Sequence, residues 1–123
     1  MRQRHTIIVV DNSEAVRELI SFTLEEEGYN TVKAEDGCDA LTKMNDTKAD
    51  MMFTDLNMPN MDGIELVRQV RARPGYKFLP IIIVTTVSDP SVKQQAKTAG
   101  ATAWITKPFK GEQLLRVVKK VLR

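Results

Sequence analysis

Five polar side chains that could take part in chemistry stand at the ends of four separate apolar runs. They are Asp11 and Asn12, Asp55, Thr85, and Lys107. Each one alone is equally well explained as a turn or capping residue, because Asp, Asn and Thr are common in turns. If the apolar runs are parallel strands, however, their carboxyl ends share one edge of the sheet, where open α/β sheets bind ligands. The five residues together therefore predict a functional site at that edge.

The chemistry that this set favours is the capture of a phosphoryl group by a carboxylate. Two carboxylates with further oxygen ligands suit Mg²⁺, which proteins usually hold through one or two carboxylates with several waters retained. The ion would offset the repulsion between the carboxylates and an incoming phosphoryl group. Lys107 would bring positive charge to the phosphoryl oxygens, and Thr85 a hydroxyl donor. Asp55 would act as the nucleophile and form an aspartyl phosphate.

Short apolar runs bounded by turn residues predict the strands that position these side chains. The five predicted strands are Ile7 to Val10, Thr31 to Ala34, Met51 to Thr54, Ile81 to Val84 and Ala103 to Thr106. Between them, capping residues and apolar periodicity predict helices. The first helix runs from Asn12 and Ser13 to about Glu27, and its apolar face comprises Val16, Leu19, Ile20, Thr23 and Leu24. The remaining four begin near Asp36, Gly63, Asp89 and Gly111.

A strand followed by a helix, five times over, predicts an α/β fold of the (βα)5 type. Continuously apolar strands indicate a parallel sheet that helices cover on both faces. Right-handed crossovers then make a doubly wound five-stranded sheet the simplest topology. No linker or low-complexity segment interrupts the pattern, so residues 1–123 are predicted to form one domain.

Composition narrows the classes of function. A net charge of +2 with a pI near 8.8 is too weakly basic to predict nucleic-acid binding. No apolar run approaches the roughly 20 residues of a membrane span, so no membrane insertion is expected. Cys38 is the single cysteine, which excludes an internal disulfide, and we expect it to be buried or half-buried beside the second helix. The expected location is the cytoplasm.

Four motifs resemble those of the response-regulator receiver domain, and most of all its single-domain, CheY-like members. They are Val9-Val10-Asp11-Asn12, Asp55-Leu56-Asn57-Met58-Pro59 with Met61-Asp62-Gly63, Val84-Thr85, and Trp104-Ile105-Thr106-Lys107-Pro108-Phe109. The resemblance covers essentially the whole chain. It implies a flavodoxin-like fold with strand order 2-1-3-4-5. It also implies a signalling protein rather than an enzyme, in which Asp55 accepts phosphate from a histidine kinase or a histidine phosphotransfer protein.

The resemblance assigns further roles within this sequence. The backbone carbonyl of Asn57 should join Asp11 and Asp55 on Mg²⁺, and the peptide between Lys107 and Pro108 should be cis. Thr85 and Trp104 should form a switch that alters the face made by the fourth helix, the fifth strand and the fifth helix. Through that face a monomer or weak dimer would control a downstream protein, with no direct contact to nucleic acid.

The sequence departs from the family at Asn12, where a second acidic residue is usual after the first strand. Asn12 could still contribute an oxygen through a metal-bound water, and a weaker metal site is expected. The departure also leaves open a receiver-like interaction module that is not phosphorylated. A flavin-binding flavodoxin is disfavoured because the segment after strand one is acidic rather than rich in Ser, Thr and Gly. A haloacid-dehalogenase-type phosphatase would need an Asp where this chain has Asn57.

Overall fold

A parallel five-stranded sheet with strand order β2-β1-β3-β4-β5 forms the centre of the computed structural model, which describes residues 4–122. The strands are β1 Thr6–Val10, β2 Asn30–Ala34, β3 Met51–Thr54, β4 Ile81–Thr85 and β5 Ala103–Thr106. The helices are α1 Glu14–Glu26, α2 Gly37–Met44, α3 Gly63–Arg71, α4 Pro90–Ala99 and α5 Gly111–Val121. All four neighbouring strand pairs are parallel. The predicted (βα)5 pattern and strand order are both confirmed.

Two apolar layers cover the sheet, one on each face. Successive strand residues point to opposite faces, so Ile8 and Val10 pack towards α2, α3 and α4, whereas Ile7 and Val9 pack towards α1 and α5. The strands β1, β3 and β4 are buried almost throughout. Burial on both faces is the physical reason that these strands are continuously apolar in sequence.

The predicted apolar face of α1 is wrong at one position. Ile20 and Leu24 are buried against the sheet, but Leu19 is 53% exposed. At 3.6 residues per turn, Leu19 lies about 100° around the helix from Ile20. The sheet therefore covers a narrower stripe of α1 than the apolar face that the sequence pattern predicted. Phe22, which was outside the predicted face, is also exposed, at 61%. The expectation for Cys38 is likewise wrong, since it is exposed on α2.

The helix α3 begins directly after the loop that follows Asp55, and its N-cap is Asp62. The Asp62 side chain accepts a hydrogen bond from the backbone N–H of Glu65 at 2.8 Å. Removing such a cap typically costs about 1 kcal/mol. We therefore expect Asp62→Ala to lower the free energy of unfolding by about that amount, and Asp62→Asn, which keeps the acceptor, to lower it much less. Urea unfolding of both variants measures this, and equal losses would show that the cap bond is not the cause.

Candidate functional site

Three charged side chains from different strand ends meet at the carboxyl edge of the sheet. Lys107 Nζ lies 2.9 Å from Asp11 Oδ2 and 3.2 Å from Asp55 Oδ2. The three side chains are largely withdrawn from water, with exposed fractions of 15% for Lys107, 2% for Asp11 and 14% for Asp55. Their convergence agrees with the expectation from the parallel strand ends.

Each carboxylate is oriented by a backbone donor on the oxygen that Lys107 does not contact. Asp11 Oδ1 accepts from the N–H of Ser13 at 2.9 Å, and Asp55 Oδ1 accepts from the N–H of Leu56 at 2.7 Å. The remaining two oxygens face one ammonium group. One cation thus lies between two carboxylate oxygens, and the formal charges of the three side chains leave the cluster with a net negative charge.

Hydrogen bonds that continue the sheet beyond its strands hold the backbone of this cluster. The N–H of Asp55 donates to the carbonyl of Val10 at 2.9 Å, and the N–H of Asp11 donates to the carbonyl of Ala34 at 3.1 Å. The N–H of Lys107 donates to the carbonyl of Thr85 at 2.8 Å. The peptide between Lys107 and Pro108 is cis, as the resemblance implies. The charged residues are therefore fixed by the strands themselves rather than by loose loops.

Gly63 allows the chain after Asp55 to turn back closely on itself. Its N–H donates to the carbonyl of Leu56 at 2.8 Å. A Cβ at this position would lie 2.3 Å from the carbonyl oxygen of Asp55, which is closer than such contacts occur. Only glycine fits there without moving the segment that carries the nucleophile candidate.

The structure places the other predicted site residues around this cluster. Thr85 is 1% exposed, and its hydroxyl accepts from the N–H of Val87 at 3.3 Å. Asn12 and Asn57 are both exposed, beside Asp11 and two residues after Asp55 respectively. Their proposed roles towards a metal stay predictions.

Sequence reasoning missed Arg17, which reaches the site from α1. Its Nη1 donates to the backbone carbonyl of Asp11 at 2.7 Å. It thereby ties the first turns of α1 to the end of β1. An arginine on an amphipathic helix usually indicates a solvated face, so the sequence carried no signal for this contact.

Trp104 lies on β5 beside α4. It is half-buried, and Lys93 Nζ lies 5.7 Å from the centre of its ring, within reach of a cation–π interaction. Its Nε1 is buried and has no hydrogen-bond partner among residues 4–122. A groove of about 230 Å³ adjoins the ring, lined by Lys93, Ala96, Lys97, Ala101, Thr102, Ala103 and Trp104.

The donor set suits a small hard cation. Two carboxylate oxygens that already share one ammonium ion are close enough to share one metal ion, and Mg²⁺ prefers such oxygen ligands. Among residues 4–122 no group of three or more His, Cys, Asp or Glu side chains is arranged to hold a metal. A metal bound here must therefore complete its coordination with carbonyl, amide or water oxygens, as Mg²⁺ commonly does.

The fold and this cluster together define the class of protein: a doubly wound α/β domain with two carboxylates and one ammonium group at the carboxyl edge of its parallel sheet. The family model for the response regulator receiver domain matches residues 7–119, and the chain belongs to this family. Within it the chain is CheY-like. It is 35% identical over 116 residues to the chemotaxis protein CheY of Pseudomonas aeruginosa PAO1, and the aligned part covers 94% of each chain. It is 41% identical over 120 residues to a CheY homologue of Campylobacter jejuni 81-176, which covers 94% of this chain and 91% of that one.

Solved structures show the same likeness in three dimensions. The chemotaxis protein CheY4 of Vibrio cholerae matches with a TM-score of 0.94 and 41% identity, over 98% of this chain and 100% of that chain. The receiver domain of the sensor histidine kinase PA1611 from Pseudomonas aeruginosa PAO1 matches with a TM-score of 0.88, over 97% of this chain and 98% of that chain. That structure has a magnesium ion coordinated in its active site cleft; at 24% identity, the match shows a shared fold.

No helix within residues 4–122 combines the length and apolar character that crossing a membrane would require.

Proposed function

We propose that this protein is a two-component response regulator whose Asp55 accepts a phosphoryl group in the presence of Mg²⁺. One observation carries the proposal: Lys107 joins Asp11 and Asp55 at the carboxyl edge of the sheet, at 2.9 and 3.2 Å. Two carboxylates for a metal, one of them also the nucleophile, stand beside one cation for phosphoryl oxygens. These are the groups that the chemistry needs.

The metal would be held by Asp11, by Asp55 and by the backbone carbonyl of Asn57, with Asn12 adding an oxygen through a bound water. When bound, Mg²⁺ neutralises negative charge on the carboxylates and on the phosphoryl oxygens. Lys107 complements it, because its ammonium group can leave the carboxylates and bind a phosphoryl oxygen. Binding of a metal would favour this move by replacing the charge that Lys107 supplies to Asp11.

In the transfer step a carboxylate oxygen of Asp55 attacks the phosphorus atom. An oxygen–phosphorus bond forms while the phosphorus–nitrogen bond to the donor histidine breaks, and the imidazole nitrogen keeps the electron pair. Backbone donation from Leu56 to Asp55 Oδ1 holds the carboxylate so that Oδ2 is the oxygen that faces Lys107. Lys107 stabilises negative charge on the phosphoryl oxygens. The chain itself thus provides the nucleophile and its positioning, while the partner provides the phosphoryl group.

A histidine kinase or histidine phosphotransfer protein must approach along the edge that exposes Asp55. An apolar groove of about 400 Å³ opens there, lined by Val16, Leu19, Thr86, Lys107, Pro108 and Phe109. The exposed Leu19 and Phe22 extend the apolar surface along α1. Large exposed apolar side chains that adjoin a groove are typical of protein contact sites. The groove supports a protein donor in addition to small phosphodonors.

The output face is proposed to be that of α4, β5 and α5. Ala96 is the only fully buried residue of the helix α4, and Lys93 and Lys97 line the groove beside Trp104. Two further exposed cations of α5 add to the positive charge of this surface, namely Arg116 and Lys120. A partner segment with acidic and apolar side chains would complement this surface. Action on a protein target, as a monomer or weak dimer in the cytoplasm, is part of the proposal.

Trp104 should report the switch directly. Phosphorylation should draw the Thr85 hydroxyl towards the phosphoryl group, and the space that Thr85 vacates would admit the Trp104 ring. We expect beryllofluoride with Mg²⁺ to change Trp104 emission and to reduce its quenching by iodide, because the ring moves inward. The signal can be assigned to this residue because Trp104 is the only tryptophan. Thr85→Ala should weaken the coupling between the site and the ring. Binding of beryllofluoride without any change in emission or quencher access would contradict the switch.

The alternative, an interaction module that takes no phosphate, draws its support from Asn12 alone. Incubation with Mg²⁺ and acetyl phosphate, followed by intact mass measurement, separates the two functions. The proposed function predicts the added mass of one phosphoryl group, and no added mass when a chelator is present throughout the incubation. An unchanged mass at saturating Mg²⁺ would favour the interaction module.

A further inference from the structure

A carboxylate from another part of the chain holds the loop that follows Asp55. Asn60 Nδ2 donates to Asp36 Oδ2 at 3.2 Å. Asn60 lies in the loop between β3 and α3, and Asp36 lies directly before α2. Asp36 is 8% exposed, although it is charged. The contact joins two loops at the carboxyl edge of the sheet.

Capping alone does not account for a carboxylate at this position. Asp36 Oδ1 accepts from the N–H of Asp39 at 2.8 Å and so caps α2. Asn caps a helix about as well as Asp, whereas burial of a charge is costly unless hydrogen bonds compensate it. Among residues 4–122 no cation lies within salt-bridge distance of Asp36. Its second oxygen and its charge are instead matched by Asn60 and by the amino end of α2.

The attached loop is also shaped by its own backbone and packing. Asn60 has a φ of +71°, in the left-handed region that Asn tolerates better than most residues. The next residue, Met61, packs on Gly37, where a Cβ would lie 3.0 Å from Met61 Sδ. Two consecutive loop residues thus contact the start of α2, one through a hydrogen bond and one through packing.

We propose that Asp36 is a positioning residue for the phosphorylation site, and that it acts through Asn60 on the loop of residues 56–62. The bond from Gly63 to Leu56 closes the loop, and the bond from Asn60 to Asp36 ties its middle to the start of α2. This inference rests on the proposed function, because Asn57, whose carbonyl is proposed as a metal ligand, lies between these two attachments. The Asp36 contact limits the loop conformations that Mg²⁺ would otherwise have to select.

Asp36→Asn separates the two tasks of the side chain. The amide oxygen can still cap α2, but the second oxygen and the negative charge are lost, so Asn60 keeps at most a neutral amide–amide bond after its own amide rotates. In the metal-free protein we expect the hydrogen-bonded amide protons of Met61 and Gly63 to exchange up to about tenfold faster, the scale of replacing a charge-assisted hydrogen bond by a neutral one. Exchange in α2 should stay at the wild-type rate. Mg²⁺ affinity, measured by calorimetry, should fall by about three- to tenfold.

Three further variants make the test specific. Asp39→Asn removes a carboxylate from the same helix without touching the loop, so loop exchange and Mg²⁺ affinity should match the wild type. Asn60→Gly keeps the positive φ but removes the donor, and it should loosen the loop as Asp36→Asn does. The double variant of Asp36→Asn and Asn60→Gly should be no looser than either single one.

The inference is overturned if Asp36→Asn leaves loop exchange unchanged, or if it loosens α2 as much as the loop. Faster loop exchange with an unchanged Mg²⁺ affinity would also overturn it, since Asp36 would then stabilise the loop without positioning the site. Failure of the proposed function looks different, because wild-type protein would then gain no phosphoryl group from acetyl phosphate. The exchange measurement needs neither metal nor phosphate, so the two failures can be told apart.

Discussion

Asp55→Asn is expected to abolish phosphorylation by acetyl phosphate and by a protein donor while the fold stays intact. Asn has no carboxylate oxygen to attack phosphorus, and of the two strand-end carboxylates Asp55 is the more exposed to a phosphodonor, at 14% against 2% for Asp11. Stability should not suffer, because the variant leaves Lys107 paired with Asp11, at 2.9 Å, and removes one of two close negative charges. Intact mass after incubation with Mg²⁺ and acetyl phosphate measures the first effect, and urea unfolding the second.

A matched control makes this result specific to the site. Asp50 lies at the opposite edge of the sheet, where its side chain accepts a hydrogen bond from the N–H of Thr6 at 2.8 Å. Asp50→Asn changes the same functional group and keeps an acceptor, so it should gain phosphate like the wild type. If Asp55→Asn still gained a phosphoryl group at the wild-type level, another residue would be the acceptor.

Asn12→Asp is expected to tighten Mg²⁺ binding by at least about tenfold, which corresponds to roughly 1.4 kcal/mol. A unit charge 4 Å from another is worth about 4 kcal/mol at an effective dielectric near 20. The divalent charge of the ion raises that figure, whereas retained water and the exposure of position 12 lower it. Phosphorylation at subsaturating Mg²⁺ should become faster, and the difference should shrink once the metal saturates.

Titration of Mg²⁺ against Trp104 fluorescence in both proteins tests this expectation. Asn30→Asp serves as the control, because it makes the same change of net charge at the start of β2, at the other edge of the sheet. That variant should bind Mg²⁺ as the wild type does. Equal or weaker binding by Asn12→Asp would show that residue 12 does not lie at the metal.

Local chemistry was enough to predict most elements of this protein. Apolar runs bounded by turn residues located the strands, and capping residues such as Ser13, Asp36 and Asp89 located helix starts that the structure confirms. These signals depend on neighbours in sequence, so they can be read without the fold. Leu19 shows their limit, because periodicity indicates an apolar face but not how much of it the sheet will cover.

The sequence by itself determined that Asp11, Asp55 and Lys107 would meet, because the carboxyl ends of parallel strands share one edge. Only the tertiary structure decided how they meet, with one ammonium group between two carboxylate oxygens. The sequence also did not predict the contact of Arg17 with the carbonyl of Asp11 or that of Asp36 with Asn60. Such hydrogen bonds join groups that are far apart in the chain, and they form only when the fold brings donor and acceptor to the right distance. The order of residue types in the sequence does not specify that distance.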